Sequence, residues 1–157
     1  MVTIALYNLK GGVGKTAATI NLAYLSAKQG YKTLIWDLDP QGSSSFYLGA
    51  TANIKNEAKK ILTGEMDLAT AIQPSAYENL DIIPADLSAR HADILLNEMK
   101  QSKKKISAIL STIKNEYDIV FLDCPPGISV LHDAVFAGVD WILMPNIPTT
   151  LSIRSFE

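Results

Sequence analysis

The chain has 157 residues, 48% apolar and 19% charged, which sets aside a disordered or collagen-like polypeptide and fits one domain with its own core. Lys and Arg number 14 against 16 Asp and Glu, a net charge of −2, so the chain as a whole lacks the basic excess of a constitutive nucleic-acid binder. A single cysteine, Cys124, excludes an internal disulfide and a multi-cysteine metal centre built within one chain, and His91 and His132 are too few for a histidine-rich one.

Residues 2–9 are short and β-rich and run straight into glycines. Residues 16–29 read as a helix, with Ile20, Ala23, Tyr24 and Ala27 on one face and Gly30 at its end. Residues 33–39 form a near-continuous apolar strand, of the kind buried on both faces of a parallel sheet. Short helices are expected around 46–48, 58–62 and 68–72, and a third strand at 80–84. Ser88 is placed to cap a helix carrying Ala92, Leu95, Leu96 and Met99, and Ser102 one carrying Ile106, Ile109, Leu110 and Ile113. A fourth strand follows at 118–124, a helix at 129–137, a fifth strand at 141–147 and the start of a helix at Thr150. Strands alternating with helices predict an α/β fold, a parallel sheet with helices on both faces. Ligand chemistry then belongs at the carboxyl ends of the strands.

The stretch Lys10-Gly11-Gly12-Val13-Gly14-Lys15-Thr16 lies between the first strand and the first helix. Glycines let backbone N–H groups turn toward phosphate oxygens, and the helix N-terminus adds partial positive charge. Lys15 would reach the β- and γ-phosphates, and the Thr16 hydroxyl would ligate Mg²⁺. The usual Gly-x-x-x-x-Gly-Lys-Ser/Thr pattern fails at one place, because Leu9 stands where its first glycine belongs. Asp123 ends an apolar strand, where a carboxylate can hold Mg²⁺ through water.

Lys10 to Thr16 resembles the deviant Walker A motif of the ParA/MinD ATPases. Asp37-Leu38-Asp39-Pro40-Gln41-Gly42 is similar to the ParA-type Asp-x-Asp-Pro-Gln-Gly segment, and Val120-Phe121-Leu122-Asp123-Cys124-Pro125-Pro126-Gly127 to the Walker B strand and Pro-Pro switch. Ser43 stands where asparagine often follows. The resemblance implies a P-loop ATPase of the ParA, or partition, branch that binds ATP and Mg²⁺ and hydrolyses ATP. It implies an ATP-dependent homodimer, non-specific DNA as a partner of the full-length form, and a ParB-like activating protein. The nucleotide-binding run is then Lys10, Gly11, Gly12, Val13, Gly14, Lys15, Thr16 and Ala17. The resemblance implies that Lys10, Lys15 and Asp39 are catalytic, with Lys10 reaching the partner's nucleotide, and makes Thr16, Asp123 and Asp39 metal candidates. Asp37 is equally open to a structural and a catalytic role.

Residues 1–157 are expected to form one ATPase domain lacking the C-terminal strands and helices of the full family fold. With no cleavable leader and no long apolar run, a cytoplasmic protein is expected; the resemblance implies that it is nucleoid-associated when ATP is bound. Two alternatives share the fold: a MinD-like membrane-cycling ATPase, which needs a C-terminal amphipathic helix, and an ATP-dependent metabolic enzyme. An iron-protein reductase needs two cysteines per chain, and this chain has one. Lys100, Lys103, Lys104 and Lys105 read as a solvated helix face, Cys124 as a small buried residue, both histidines as surface or helix-end residues, and Trp36 and Trp141 as packing on the sheet.

Overall fold

All five residues of Thr33–Asp37 are buried, the signature of a strand covered on both faces. The computed structural model describes residues 1–148; the helix expected from Thr150 lies outside them. In chain order the elements are β1 (Val2–Leu6), α1 (Lys15–Lys28), β2 (Thr33–Asp37), α2 (Ser43–Tyr47), α3 (Glu57–Thr63), β3 (Gln73–Pro74), β4 (Leu80–Ile83), α4 (Ala92–Glu98), α5 (Lys105–Ser111), β5 (Ile119–Asp123), α6 (Val130–Gly138) and β6 (Trp141–Leu143). Three short 3-10 helices lie at Leu68–Ala71, Leu87–His91 and Ser102–Lys104.

The sheet runs β3-β4-β2-β5-β1-β6. Every pairing is parallel except that of β3 with β4. The two-residue β3 is a sixth strand that the sequence did not signal, and its Pro74 is tolerated because the strand is an edge. Side chains alternate between the faces. Leu6, Ile35, Ile82 and Phe121 meet Ala23 and Ala27 of α1 on one side. Ala5, Leu34, Trp36, Val120 and Leu122 meet the side chains of α3 to α6 on the other. Helices on both faces are therefore confirmed.

Several local expectations are corrected. The buried stripe of α1 is Thr19, Ala23 and Ala27; Tyr24 is exposed and stacks edge-on against Tyr77, with ring centroids 5.2 Å apart. Small residues at i, i+4 and i+8 let the helix lie close on the sheet, so the larger side chains move to its flanks. Neither Ser88 nor Ser102 caps an α-helix; each sits in a 3-10 turn, and α4 and α5 begin after those turns. Ser88 instead donates to Asp86 and accepts from the Lys59 N–H, tying that turn to α3. Trp36 is buried as expected, but Trp141 is 67% exposed, because β6 is an edge paired with β1 alone among the described residues. Lys100, Lys103 and Lys104 are exposed and Lys105 is half-buried. Among the described residues, no helix is long and apolar enough to cross a membrane.

Candidate functional site

The strands that carry the three motifs stand side by side as β2-β5-β1, although the chain visits them in the order β1, β2, β5. Their carboxyl ends release the glycine loop, the Asp37 to Gly42 turn and the Pro125 to Gly127 segment at one rim of the sheet. A cleft of about 490 Å³ opens there. Gly11, Gly12, Gly14, Lys15, Thr16 and Ala17 line one wall, with Asp39, Gln41, Ser43, Tyr47 and Pro126 around the rest.

Gly12 and Gly14 take φ of 74° and 91°, conformations costly for any residue with a Cβ. Gly14 is the residue before α1, so the loop ends on the open N-terminus of a fourteen-residue helix. Val13 is buried and anchors the loop from beneath. Lys15 is 7% exposed, and its ammonium donates to the Lys10 carbonyl at 3.2 Å. Lys10 is half-buried, and its N–H donates to Asn8 Oδ1 at 2.9 Å. Asn8 in turn donates to the Pro145 carbonyl at 2.9 Å. A polar residue as buried as Asn8 was missed in the sequence, where it is one asparagine at a strand end.

Asp123 is buried at the end of β5 and accepts a hydrogen bond from the Ser44 hydroxyl at 2.7 Å, and the Thr16 hydroxyl is also close enough to favour its charged form. Burial pushes its carboxyl up, and those two hydroxyls pull it back down. Two hard oxygen donors, Thr16 and Asp123, thus meet at the mouth of an anion-receiving loop, with the Lys15 charge close enough to act on Asp123. That donor set fits Mg²⁺, which prefers oxygen and keeps much of its water.

Asp39 is half-buried on the cleft wall, where its Oδ1 accepts from the Gln41 N–H at 2.9 Å and so shapes its own turn. Asp37 is different. It is 2% exposed, and it accepts from the Asp39 N–H and from both the N–H and the hydroxyl of Ser45. Burial raises its carboxyl to about 6 against the pull of the Ser45 hydrogen bonds. Its place is beneath the turn and not on the cleft wall, which favours the structural side of its open reading.

The Pro125-Pro126-Gly127 segment is stitched to the glycine-loop strand. The Gly127 N–H donates to the Leu9 carbonyl at 3.1 Å, and the Tyr7 hydroxyl to the Gly127 carbonyl at 3.1 Å. His132, read as a surface or helix-end residue, lies in the first turn of α6 but is 2% exposed. Its Nε2 lies 3.0 Å from the Pro125 carbonyl and its Nδ1 2.9 Å from Ser129 Oγ, with Tyr7 edge-on at 5.0 Å. A histidine three residues after a helix-starting serine was the only available signal. Cys124 is buried as expected, and burial pushes its thiol up, so it is not a nucleophile.

A β-strand, glycine loop and helix set beside an aspartate-ended strand define a P-loop nucleotide-binding protein. A protein-family profile described as an AAA domain matches residues 1–157. The chromosome-partitioning ATPase Soj of Treponema pallidum is 32% identical, over 91% of this chain and 56% of its own length. A Cyanothece McdA variant in complex with ATP superposes with a TM-score of 0.92 at 26% identity, over 99% of this chain and 60% of that one. Cobyrinic acid a,c-diamide synthase from Mycobacterium smegmatis, with bound ADP and magnesium, superposes with a TM-score of 0.91 at 25% identity, over 99% of this chain and 63% of that one. The chain belongs to the ParA/MinD family of P-loop ATPases, on its partition branch. It spans roughly half to three-fifths, 47% to 63%, of the length of these curated relatives.

Proposed function

We propose that residues 1–157 act as one nucleotide-binding unit of a ParA-like positioning ATPase, which binds ATP with Mg²⁺ and hydrolyses it to ADP and phosphate. The observation that carries this reading is the cleft in which the glycine loop, Lys15, Thr16 and Asp39 meet, with the buried Asp123 carboxylate behind Thr16 at the end of β5. The N–H groups from Gly11 to Ala17 and the Lys15 ammonium hold the β- and γ-phosphates. Thr16, and Asp123 through water, would hold Mg²⁺, which when bound neutralises phosphate charge. Asp39 orients the attacking water, and Lys10 places positive charge on the γ-phosphate of a partner subunit.

The dimer, DNA as the surface it travels on and a ParB-like activator complete the cycle and give the protein its nucleoid location. The named function of the Soj relative and the extra loop lysine support this over a metabolic enzyme on the same fold. The test is the steady-state ATPase rate of the chain with and without non-specific duplex DNA and Mg²⁺. Hydrolysis that needs Mg²⁺ and rises with DNA supports the reading; absence of any Mg²⁺-dependent hydrolysis overturns it.

A further inference from the structure

Two consecutive serines in α2 reach two different buried carboxylates. Ser44 Oγ donates to Asp123 Oδ2 at 2.7 Å. Ser45 donates to Asp37 Oδ2 from its hydroxyl at 2.7 Å and from its N–H at 2.9 Å. The Ser45 oxygen accepts from the Ala85 N–H at 2.8 Å, which ties α2 to the chain leaving β4. The turn that carries Asp39 is therefore closed at its base by Asp37 and Ser45, and that base is joined to the end of β5 by Ser44 alone of the two.

Ser44 has no exposed surface and does not line the cleft. Its hydroxyl has no access to water, so what it does, it does through Asp123. A carboxylate at a strand end can rotate about its Cβ–Cγ bond. The Ser44 hydrogen bond fixes Oδ2 on the α2 side, which leaves Oδ1 toward α1, where Thr19 Oγ1 stands at 3.5 Å. Without that donor, a desolvated carboxylate oxygen loses its 2.7 Å hydrogen bond, and the longer Thr19 contact at 3.5 Å holds the group less firmly.

We propose that Ser44 is a positioning residue that aims the Asp123 carboxylate for Mg²⁺ beside Thr16. The inference rests on the Mg²⁺–nucleotide reading of the cleft. A serine that merely staples α2 to the sheet would affect stability and leave the metal dependence of nucleotide binding unchanged, so the two roles separate experimentally.

The experiment titrates a fluorescent, non-hydrolysable ATP analogue into the 157-residue chain, in EDTA and across a Mg²⁺ series. Ser44→Ala should bind the analogue in EDTA as the parent does, within about twofold, and need about tenfold more Mg²⁺ for half-maximal tightening, the size expected for one hydrogen bond to a charged group. In an Asp123→Asn background the same substitution should shift the Mg²⁺ midpoint no further. Ser44→Cys, which keeps the shape with a weaker donor, should give an intermediate shift and serves if Ser44→Ala fails to fold. Equal Mg²⁺ midpoints for parent and variants, an equal loss in EDTA, or an undiminished shift in the Asp123→Asn background each overturn the proposal alone. A parent chain that binds no analogue under any condition overturns the nucleotide reading and this proposal with it.

Discussion

Asp37 and Asp123 are partners in the register of adjacent strands, the last residues of β2 and β5, so their carboxylates lie on the same face and repel each other in a dry setting. Burial first, and that repulsion to a lesser degree, raise the Asp37 carboxyl and make folding pH-dependent. Asp37 holds its proton up to about 6 in the folded chain, against 3.8 for the free group. Below 3.8 both states carry the proton. As pH rises through this interval the unfolded chain ionises first, so Asp37 withdraws stability across it, at most roughly 3 kcal/mol. In magnesium-free buffer, Asp37→Asn should therefore gain stability relative to the parent between about pH 4 and 7, by roughly 1–3 kcal/mol. Urea unfolding at several pH values measures this; a constant difference would mean that Asp37 titrates normally.

Lys15 is folded back onto the Lys10 carbonyl, an acceptor that a phosphate can replace with charge-assisted bonds. Lys15→Ala should weaken ATP binding by about 10- to 100-fold. Calorimetry with Mg-ATP checks this, and equal affinities would remove the loop from the nucleotide site.

Asp39 lines the cleft and shapes its own turn, and its charge opposes the phosphates unless it serves the reaction. Asp39→Ala should bind ATP at near parental affinity while single-turnover hydrolysis falls about 10²-fold, about 2.7 kcal/mol of transition-state stabilisation. Normal hydrolysis in the variant would leave Asp39 as a turn residue beside Pro40.

Lys10 is surplus to a one-chain phosphate loop. Lys10→Ala should keep some ATP binding and lose roughly a thousandfold in hydrolysis, in line with a charge supplied from a partner subunit. Light scattering should show the parent's mass doubling with ATP. An unchanged mass at saturating ATP would rule out the dimer for this chain.

His132 holds the Pro125 carbonyl from below, among Tyr7 and Phe136. His132→Ala should cost about 2–3 kcal/mol, from a lost hydrogen bond and a small cavity together. Denaturant melts of the two proteins would show it; a loss under 0.5 kcal/mol, as at an ordinary surface site, would contradict the buried clamp.

The parts of this fold that were legible in the sequence depend on local chemistry. Glycines before a lysine and threonine mark a phosphate loop wherever a strand precedes and a helix follows, and Leu34, Ile35 and Trp36 in a row mark a buried strand. What stayed hidden is set by distant partners. Ser44 and Ser45 look like turn residues until β2 and β5 bring Asp37 and Asp123 above them. His132 looks like a helix-end residue until the Pro125 carbonyl meets it from outside its helix. On α1 the sequence pointed correctly to Ala23, Ala27 and the partly buried Ile20 but put Tyr24 in place of Thr19, because large apolar side chains signal burial, whereas close contact with a sheet selects alanine and threonine.

The contrast between the two tryptophans gives the protein a built-in pair of optical reporters. Trp36 is enclosed and is joined to Asp37, at the root of the turn that carries Asp39, while Trp141 stands in solvent on the far edge strand. Iodide should quench the red-edge emission of Trp141 and leave the blue-shifted emission of Trp36, so ligand-induced movement at the turn is readable in the unlabelled chain, with the edge strand as internal reference.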